Sequence, residues 1–297
     1  LIIIPSDARF SSLVLSDAIT NPIKLDLSAA ELSTNTPSVF SSGILMQQDM
    51  DKVSYIKLPN NITEIGSNAF SGNSTLETVI IPNSVTEIGG SAFYGCSALQ
   101  TIDLPDNLQS IGTNVFCDCT SLAQITIPAS VEIIDDSSFY ECSSLTTVTF
   151  SGNSNLRTIA EDAFNSCSNL AQITIPSGVT TIGDNAFSDC SSLVQITIPK
   201  TVATTGEGVF INCTSLRTVT FESDSELEYI NDEMFLSCSQ LQAIDIPSGV
   251  GSIGTNAFSG CSALQTVTIP DGVINIMQSA FANCSSLRNV TIPSSVT

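Results

Sequence analysis

The sequence predicts an α/β repeat solenoid, with a parallel ladder of short strands on one side and helical turns on the opposite side. The first observation is a Phe that recurs every 23 residues, with two steps of 25. The others are a Cys three residues after nine of these ten Phe, and a Leu three residues further on. A short unit with such a period buries its apolar side only by stacking on neighbours. The recurring residues are Phe70, Phe93, Phe116, Phe139, Phe164, Phe187, Phe210, Phe235, Phe258 and Phe281.

Each repeat opens with a strand. In residues 170–176, Ile173 and Ile175 alternate with polar residues, and a period of two with β-branched side chains predicts a strand with one buried face. Pro176 ends it, because proline has no N–H for a ladder hydrogen bond. Val179 and Ile182 turn inward again and predict a second short extended piece.

A turn closes the repeat. Residues 184–187 predict a helical turn, with Ala186 where the turn packs tightly and Phe187 in the middle of the coil. Gly183 could be a turn residue that needs positive φ. However, Ala160 and Met277 hold the same place in other coils and disfavour that geometry, so we expect ordinary dihedral angles there.

The chain divides into two predicted regions. Residues 1–50 do not keep the period and are predicted to be an N-terminal cap, either irregular or built of degenerate coils, since an end coil needs a polar cover. Alternation in residues 23–27 predicts a strand within this cap. Residues 51–297 form about ten coils. Because the chain opens on Leu and stops in mid-repeat, we expect a piece of a longer protein.

Two coils are longer than the others. Each gains two residues after its strand, at residues 150–156 and 221–227, loses the Pro and has Phe at the strand's last buried place. These bulges either rim a site or are a harmless variant of the coil. The later bulge begins an acidic run, but without a D-x-[DN]-x-[DN]-G loop we predict a solvated edge rather than a calcium site. The run comprises Glu222, Asp224, Glu226, Glu228, Asp232 and Glu233.

The ten cysteines predict a column of buried, reduced thiols rather than disulfides. Nine hold the same phase beside the core Phe, and free Cys behaves as a small buried hydrophobe. A structural metal site is disfavoured because the chain has no His and no C-x-x-C pair. Cys117, outside the phase, is expected to be partly exposed and oxidisable.

The charge restricts the partners. With 29 acidic and 8 basic residues, the net charge of −21 disfavours nucleic acid and anionic membrane surfaces, which need clustered Lys and Arg. There is no run of 18 apolar residues, so membrane insertion is not expected. We interpret the acidity as an aid to the solubility of an extracellular protein.

The outward positions of the strand ladder are nearly uncharged and form the candidate binding face. One interpretation is structural, because Thr suits strands, and stacked Thr and Gln can bond along a ladder. The other is a hydrogen-bonding surface for a protein or glycan. An ice-binding Thr array is a weaker third, since Gln, Ala and Asp interrupt it. The candidate residues are Thr126, Thr147, Thr149, Gln172, Thr174, Gln195, Thr197, Thr218 and Thr220.

Catalysis is not expected, and no catalytic, cofactor-binding or metal-binding residue is predicted. General base catalysis most often uses His, which is absent, so the abundant Ser has no partner for a triad. Acidic pairs such as Asp135 and Asp136 sit at predicted turns rather than in a cleft. A glycosidase that uses two carboxylates therefore remains only a remote alternative.

The repeat L-x-x-I-x-I-P-x-x-V-x-x-I-G-x-x-A-F-x-x-C resembles the BspA-like class of leucine-rich repeats, and residues 180–190 lie close to its consensus. The resemblance covers residues 51–297 and implies a right-handed leucine-rich-repeat superhelix. It also implies a cell-surface or secreted protein that adheres to host matrix proteins, serum proteins or other cells. A structural spacer and a glycan-binding solenoid without a protein partner are the alternatives.

Overall fold

The computed structural model describes residues 2–4, 9–10, 13, 15, 21–32, 39–41, 44, 49 and 51–297. The chain forms two compact units, Leu1–Asn155 and Leu156–Thr297, which are described separately. In both units the coils contribute strands to a first ladder, from the L-x-x-I-x-I segment, and to a second ladder, from the V-x-x-I segment. Residues 170–176, predicted to form a strand, contribute only a single bridge at Gln172. The stacked parallel coils confirm the predicted solenoid.

The strand pairs of the first ladder of unit 1 are parallel. Val79 lies opposite Ile56 and Ile102, so the same phase of each repeat is in register in successive coils. Pairing in phase follows from the alternation, because a slip by one residue would turn the buried face outward. The strands are Ile2–Ile3, Ile23–Asp26, Val53–Lys57, Thr78–Ile80, Thr101–Ile102, Gln124–Ile127 and Thr147–Phe150.

The second ladder of unit 1 consists of two-residue strands whose second residue is buried. Its strands are Val39–Phe40, Glu64–Ile65, Glu87–Ile88, Ser110–Ile111 and Ile133–Ile134. A further parallel pair, Arg9–Phe10 with Glu31–Leu32, lies near the N-terminus.

Unit 2 repeats this arrangement. Its first ladder starts at a parallel bridge between Gln172 and Gln195. The first-ladder strands are Gln195–Ile198, Thr218–Phe221, Ala243–Asp245, Thr266–Thr268 and Asn289–Val290. The second-ladder strands are Thr158–Ile159, Thr181–Ile182, Thr204–Thr205, Tyr229–Ile230, Ser252–Ile253 and Asn275–Ile276.

The core of each unit is a stack of phenylalanine rings. In unit 2 the Phe187 ring lies 5.4 Å from Phe164 and 5.6 Å from Phe210, centroid to centroid, and is tilted by 5° and 8°. The rings are fully buried, except the half-buried Phe281 in the last coil. The prediction that one Phe occupies the middle of each layer is therefore confirmed.

The N-terminal region extends both the ladder and the stack of unit 1. Ile23–Asp26 pairs with Val53–Lys57, which confirms the strand predicted there. Phe40, outside the regular period, stacks on Phe70 at 5.3 Å. Coil-like layers thus begin before residue 51. The residues of the predicted cap that lie outside the described ones are 1, 5–8, 11–12, 14, 16–20, 33–38, 42–43, 45–48 and 50.

The prediction of helical turns was wrong. No residue between 51 and 297 is helical, and residues 184–187 form part of a turn in which Asn185 has φ 53°. The Phe187 N–H donates to the Val209 carbonyl of the next coil at 2.9 Å, instead of to a carbonyl four residues earlier. The turns therefore form a third set of hydrogen bonds between coils. These bonds satisfy backbone groups that would otherwise be paired within a helix.

Gly183 adopts a negative φ, as predicted. Its glycine is required for another reason. A Cβ at this position would lie 2.5 Å from the Glu161 nitrogen and 2.6 Å from the Ala160 carbonyl carbon. Close approach of two coils therefore favours Gly here.

The cysteines are free thiols, and those of the column are buried except the half-exposed Cys284. Along the column, thiols donate from Sγ to the Phe carbonyl of the preceding coil, for example Cys119 to Phe93 at 3.2 Å. The prediction for Cys117 was wrong. This residue is 6% exposed and lies in a turn that is bonded to the preceding coil, where the Gly95 N–H donates to the Cys117 carbonyl at 2.8 Å.

Candidate binding face

The candidate face is the outward side of the first ladder. In the strand Gln195–Ile198, Ile196 and Ile198 point into the core, whereas Gln195 and Thr197 are exposed. All nine candidate residues are exposed in the same way. The period of two in the sequence produces this division, because successive strand side chains point to opposite faces.

Unit 1 holds three of the candidate residues. Thr126 lies directly opposite Thr149 in the parallel pair, and Thr147 lies opposite Gln124. These four residues, three Thr and one Gln, form an uncharged polar patch.

Unit 2 brings the other six together. Gln172 bridges to Gln195, which pairs with Thr218, and Thr197 pairs with Thr220. The residues line a shallow groove of about 320 Å³. They are Gln172, Thr174, Gln195, Thr197, Thr218 and Thr220.

The side chains of this face are largely uncommitted. Among the described residues, the one side-chain hydrogen bond of a candidate residue joins the hydroxyls of Thr147 and Thr146 at 3.5 Å. The expected side-chain bonding along the ladder is therefore not present for these residues. Their hydroxyl and amide groups remain available to an external partner, and each can both donate and accept.

The sequence reasoning missed two residues at the groove. Pro199 and Glu222 also line it, and Glu222 stands where the strand-ending Pro occurs in shorter coils. The Glu222 carboxylate accepts the Lys200 N–H at 3.1 Å, and its own N–H donates to the Ile198 carbonyl at 3.0 Å. The missing Pro of the longer coil was the signal in the sequence for Glu222. A residue with an N–H at this position can add one hydrogen bond to the ladder, whereas Pro cannot.

Some carboxylates of the acidic run accept hydrogen bonds within the fold. Asp232 Oδ1 accepts the Thr255 N–H at 2.6 Å, and Glu233 Oε1 accepts the Asn256 amide at 3.4 Å. Within the described ranges, no three His, Cys, Asp or Glu side chains are arranged to hold a metal ion. The same part of the chain contains no helix long and apolar enough to cross a membrane.

The thiols are poor nucleophiles in this fold. Burial raises the pKa of Cys96 to about 12, and burial together with the Asp118 and Glu141 carboxylates raises the pKa of Cys117 to about 11. Since the thiolate is the reactive form, these cysteines are protonated and unreactive at neutral pH.

Two bacterial leucine-rich repeat proteins of known structure are similar to this chain. A leucine rich cell surface protein from Faecalibacterium prausnitzii is 27% identical, with 93% of this chain and 91% of that chain covered and a TM-score of 0.46. A leucine-rich repeat protein from Eubacterium ventriosum is 26% identical, with 88% and 82% covered and a TM-score of 0.51. No curated protein matches the sequence.

The family assignment covers the whole array of regular coils. The BspA type leucine rich repeat region matches residues 47–156, 115–226, 149–264 and 221–297. These overlapping matches include every recurring Phe and both longer coils. The chain therefore belongs to the BspA type leucine-rich repeat family.

Proposed function

We propose that this chain is a non-enzymatic recognition module at the cell surface or in the extracellular space, and that its candidate face binds a host matrix or serum protein, or a protein of another cell. The observation that carries the proposal is the row of exposed, uncommitted Thr and Gln side chains on an otherwise strongly acidic protein. Leucine-rich repeat proteins generally mediate protein–protein interactions, and the family resemblance supports an adhesive role.

The physical argument rests on hydrogen bonding rather than charge. The six groove residues of unit 2 carry no charge. When a partner covers them, only hydroxyl and amide groups lose their water. A partner polypeptide offers N–H and C=O groups that can satisfy them. Glu222 at the rim adds a negative charge and favours a partner with Lys or Arg at that point.

The test is a capture experiment on immobilised matrix and serum proteins. We expect the wild type to be retained, and a variant with Thr174, Thr197 and Thr220 all changed to Arg to lose at least about tenfold in affinity, because buried, unpaired charges oppose association. A matched variant with Thr180, Thr214 and Gln240 changed to Arg adds the same charge elsewhere on unit 2, where these residues are also exposed.

The outcomes separate the functions. Equal retention of both variants and wild type would exclude the candidate face, and no retention on any protein surface would favour a structural spacer. Turnover of a glycoside substrate by the wild type would contradict the non-enzymatic assignment and favour the glycosidase alternative.

A further inference from the structure

The second ladder of unit 2 is interrupted next to the later long coil. Thr204–Thr205 is the end strand of one sheet and Tyr229–Ile230 is the end strand of the next, although they belong to successive coils. Where the ladder is continuous, the residue after the strand donates its N–H to the preceding coil, as Gly254 does to Ile230 at 2.7 Å. The interruption thus removes a regular set of hydrogen bonds between two coils.

A side chain bridges the interruption. The Asn231 side-chain amide donates to the Thr205 carbonyl oxygen and, at 3.1 Å, to the Thr205 hydroxyl. Within the described residues, no hydrogen bond joins the backbone of Glu228 or Tyr229 to that of Ala203. In this described part of the chain, the Ala203 carbonyl and the Glu228 and Tyr229 N–H groups therefore make no hydrogen bond across this step and remain available.

A pocket of about 240 Å³ occupies this opening. Ala203 and Thr204 line one side, Glu228 and Tyr229 line the other, and the buried Leu227 and the bridging Asn231 lie between them. The Tyr229 side chain is 54% exposed. The pocket therefore combines an exposed aromatic ring with a hydroxyl, a carboxylate and unpaired peptide groups.

Tyr229 is an exception among the residues in its register. The corresponding strand positions of unit 2 hold small polar residues that continue the ladder. They are Thr158, Thr181, Thr204, Ser252 and Asn275. A large aromatic side chain thus stands at the one interrupted step of this ladder within unit 2, where an adjacent pocket exists. Packing does not account for it, because more than half of its surface faces solvent.

We propose that this pocket binds a single non-acidic sugar residue of a glycan. A sugar ring presents C–H groups on its face, which pack on an aromatic ring, and hydroxyls on its edge, which suit Thr204, Glu228 and the peptide groups. The pocket volume of about 240 Å³ is on the scale of one sugar ring and is too small for a peptide strand with its side chains.

The surrounding charge defines the class of sugar. Asp224, Glu226 and Glu228 are exposed on the same long coil and produce a negative potential around the opening. Like charges oppose acidic sugars such as sialic and uronic acids, as well as anionic headgroups. Neutral hexoses and N-acetylhexosamines are therefore the sugars that the pocket accepts. This site is separate from the candidate face and does not depend on a protein partner there.

The test is saturation-transfer NMR on the full chain with neutral tetrasaccharides of glucose, mannose, galactose and N-acetylglucosamine, and with a sialylated tetrasaccharide. We expect at least one neutral tetrasaccharide to bind at concentrations up to about 10 mM, as a small exposed site allows. Tyr229→Ala should weaken that binding by about tenfold, and Tyr229→Phe should retain it, because the ring face is the contact.

Tyr94→Ala is the matched control, since Tyr94 is 41% exposed and lies in the other unit. Unchanged binding by this variant together with weakened binding by Tyr229→Ala supports the pocket. Absence of binding by all neutral tetrasaccharides, a preference for the sialylated one, or equal binding by wild type and Tyr229→Ala would overturn the proposal. A thermal melt of each variant establishes that the fold is intact.

Discussion

The Cys190 thiol donates a hydrogen bond to the carbonyl oxygen of Phe164 in the preceding coil, at an Sγ–O distance of 3.2 Å. The same carbonyl accepts the Cys167 N–H at 3.2 Å. One residue thus joins two coils and packs beside the ring stack. This explains why a Cys, with its small apolar volume and weak donor, recurs beside the Phe column.

The first prediction concerns this thiol. Cys190→Ala removes a buried sulfur and its hydrogen bond, so we expect the free energy of unfolding to fall by about 1–2 kcal/mol. The Phe164 carbonyl keeps its backbone donor, which limits the loss. Urea denaturation measures it, with the partly exposed Ser192→Ala as the control, for which a change within about 0.5 kcal/mol is expected. Equal stability of Cys190→Ala and wild type would contradict a structural role for the column.

The second prediction concerns the ring stack. Phe187→Ala leaves a cavity between the Phe164 and Phe210 rings and should cost about 3–5 kcal/mol of unfolding free energy. Phe187→Leu keeps most of the volume and should cost less. Denaturation curves of both variants test the order, and a loss below about 1 kcal/mol for Phe187→Ala would be incompatible with a buried ring.

The third prediction concerns alkaline pH. Burial raises the pKa of the Cys96 and Cys261 thiols from 9.0 to about 12. Above pH 9 the unfolded chain therefore releases these protons first, and stability falls as the pH rises from 9 towards 12. In this range each thiol lowers the free energy of unfolding by up to about 1.4 kcal/mol per pH unit. Below this range it adds no pH dependence.

Denaturation at pH 8, 9 and 10 measures this slope, because only the two higher values approach the range in which the thiols titrate. The double variant Cys96→Ala/Cys261→Ala should be less stable at pH 8 but should lose stability less steeply above pH 9. Parallel pH profiles for the variant and wild type would show that these thiols do not control the alkaline loss.

The fourth prediction compares two glycines of unit 2. At Gly183 an added Cβ would press on the Glu161 nitrogen at 2.5 Å, whereas at Gly251 it would meet nothing within 4 Å. Gly183→Ala should therefore destabilise the protein by about 1–3 kcal/mol. Gly251→Ala should be neutral or stabilise it by up to about 1 kcal/mol, since it reduces the entropy of the unfolded chain. Thermal denaturation of the two variants is the measurement, and equal melting temperatures would contradict the close approach of the coils.

Much of the candidate face could be read from the chain. Alternation in Gln195–Ile198 placed Thr197 outward, and the common phase of the repeats placed Thr220 beside it. The acidic rim was missed, although the absent Pro of the longer coil marks its position. Glu222 lies at the groove because it takes the place of the usual Pro and its N–H donates to the Ile198 carbonyl, a bond that depends on pairing with the coil before it.

The sequence by itself determined the period, the strands, the Phe and Cys columns and the outward Thr and Gln, because each follows from side-chain chemistry repeated at one phase. Only the tertiary structure decided that the turns are not helical, that Cys117 is buried and that the second ladder opens beside Tyr229. These features depend on hydrogen bonds and packing between coils more than 20 residues apart in the chain, such as Phe187 to Val209. The local sequence pattern does not determine which of the two neighbouring coils a peptide group will form a hydrogen bond with.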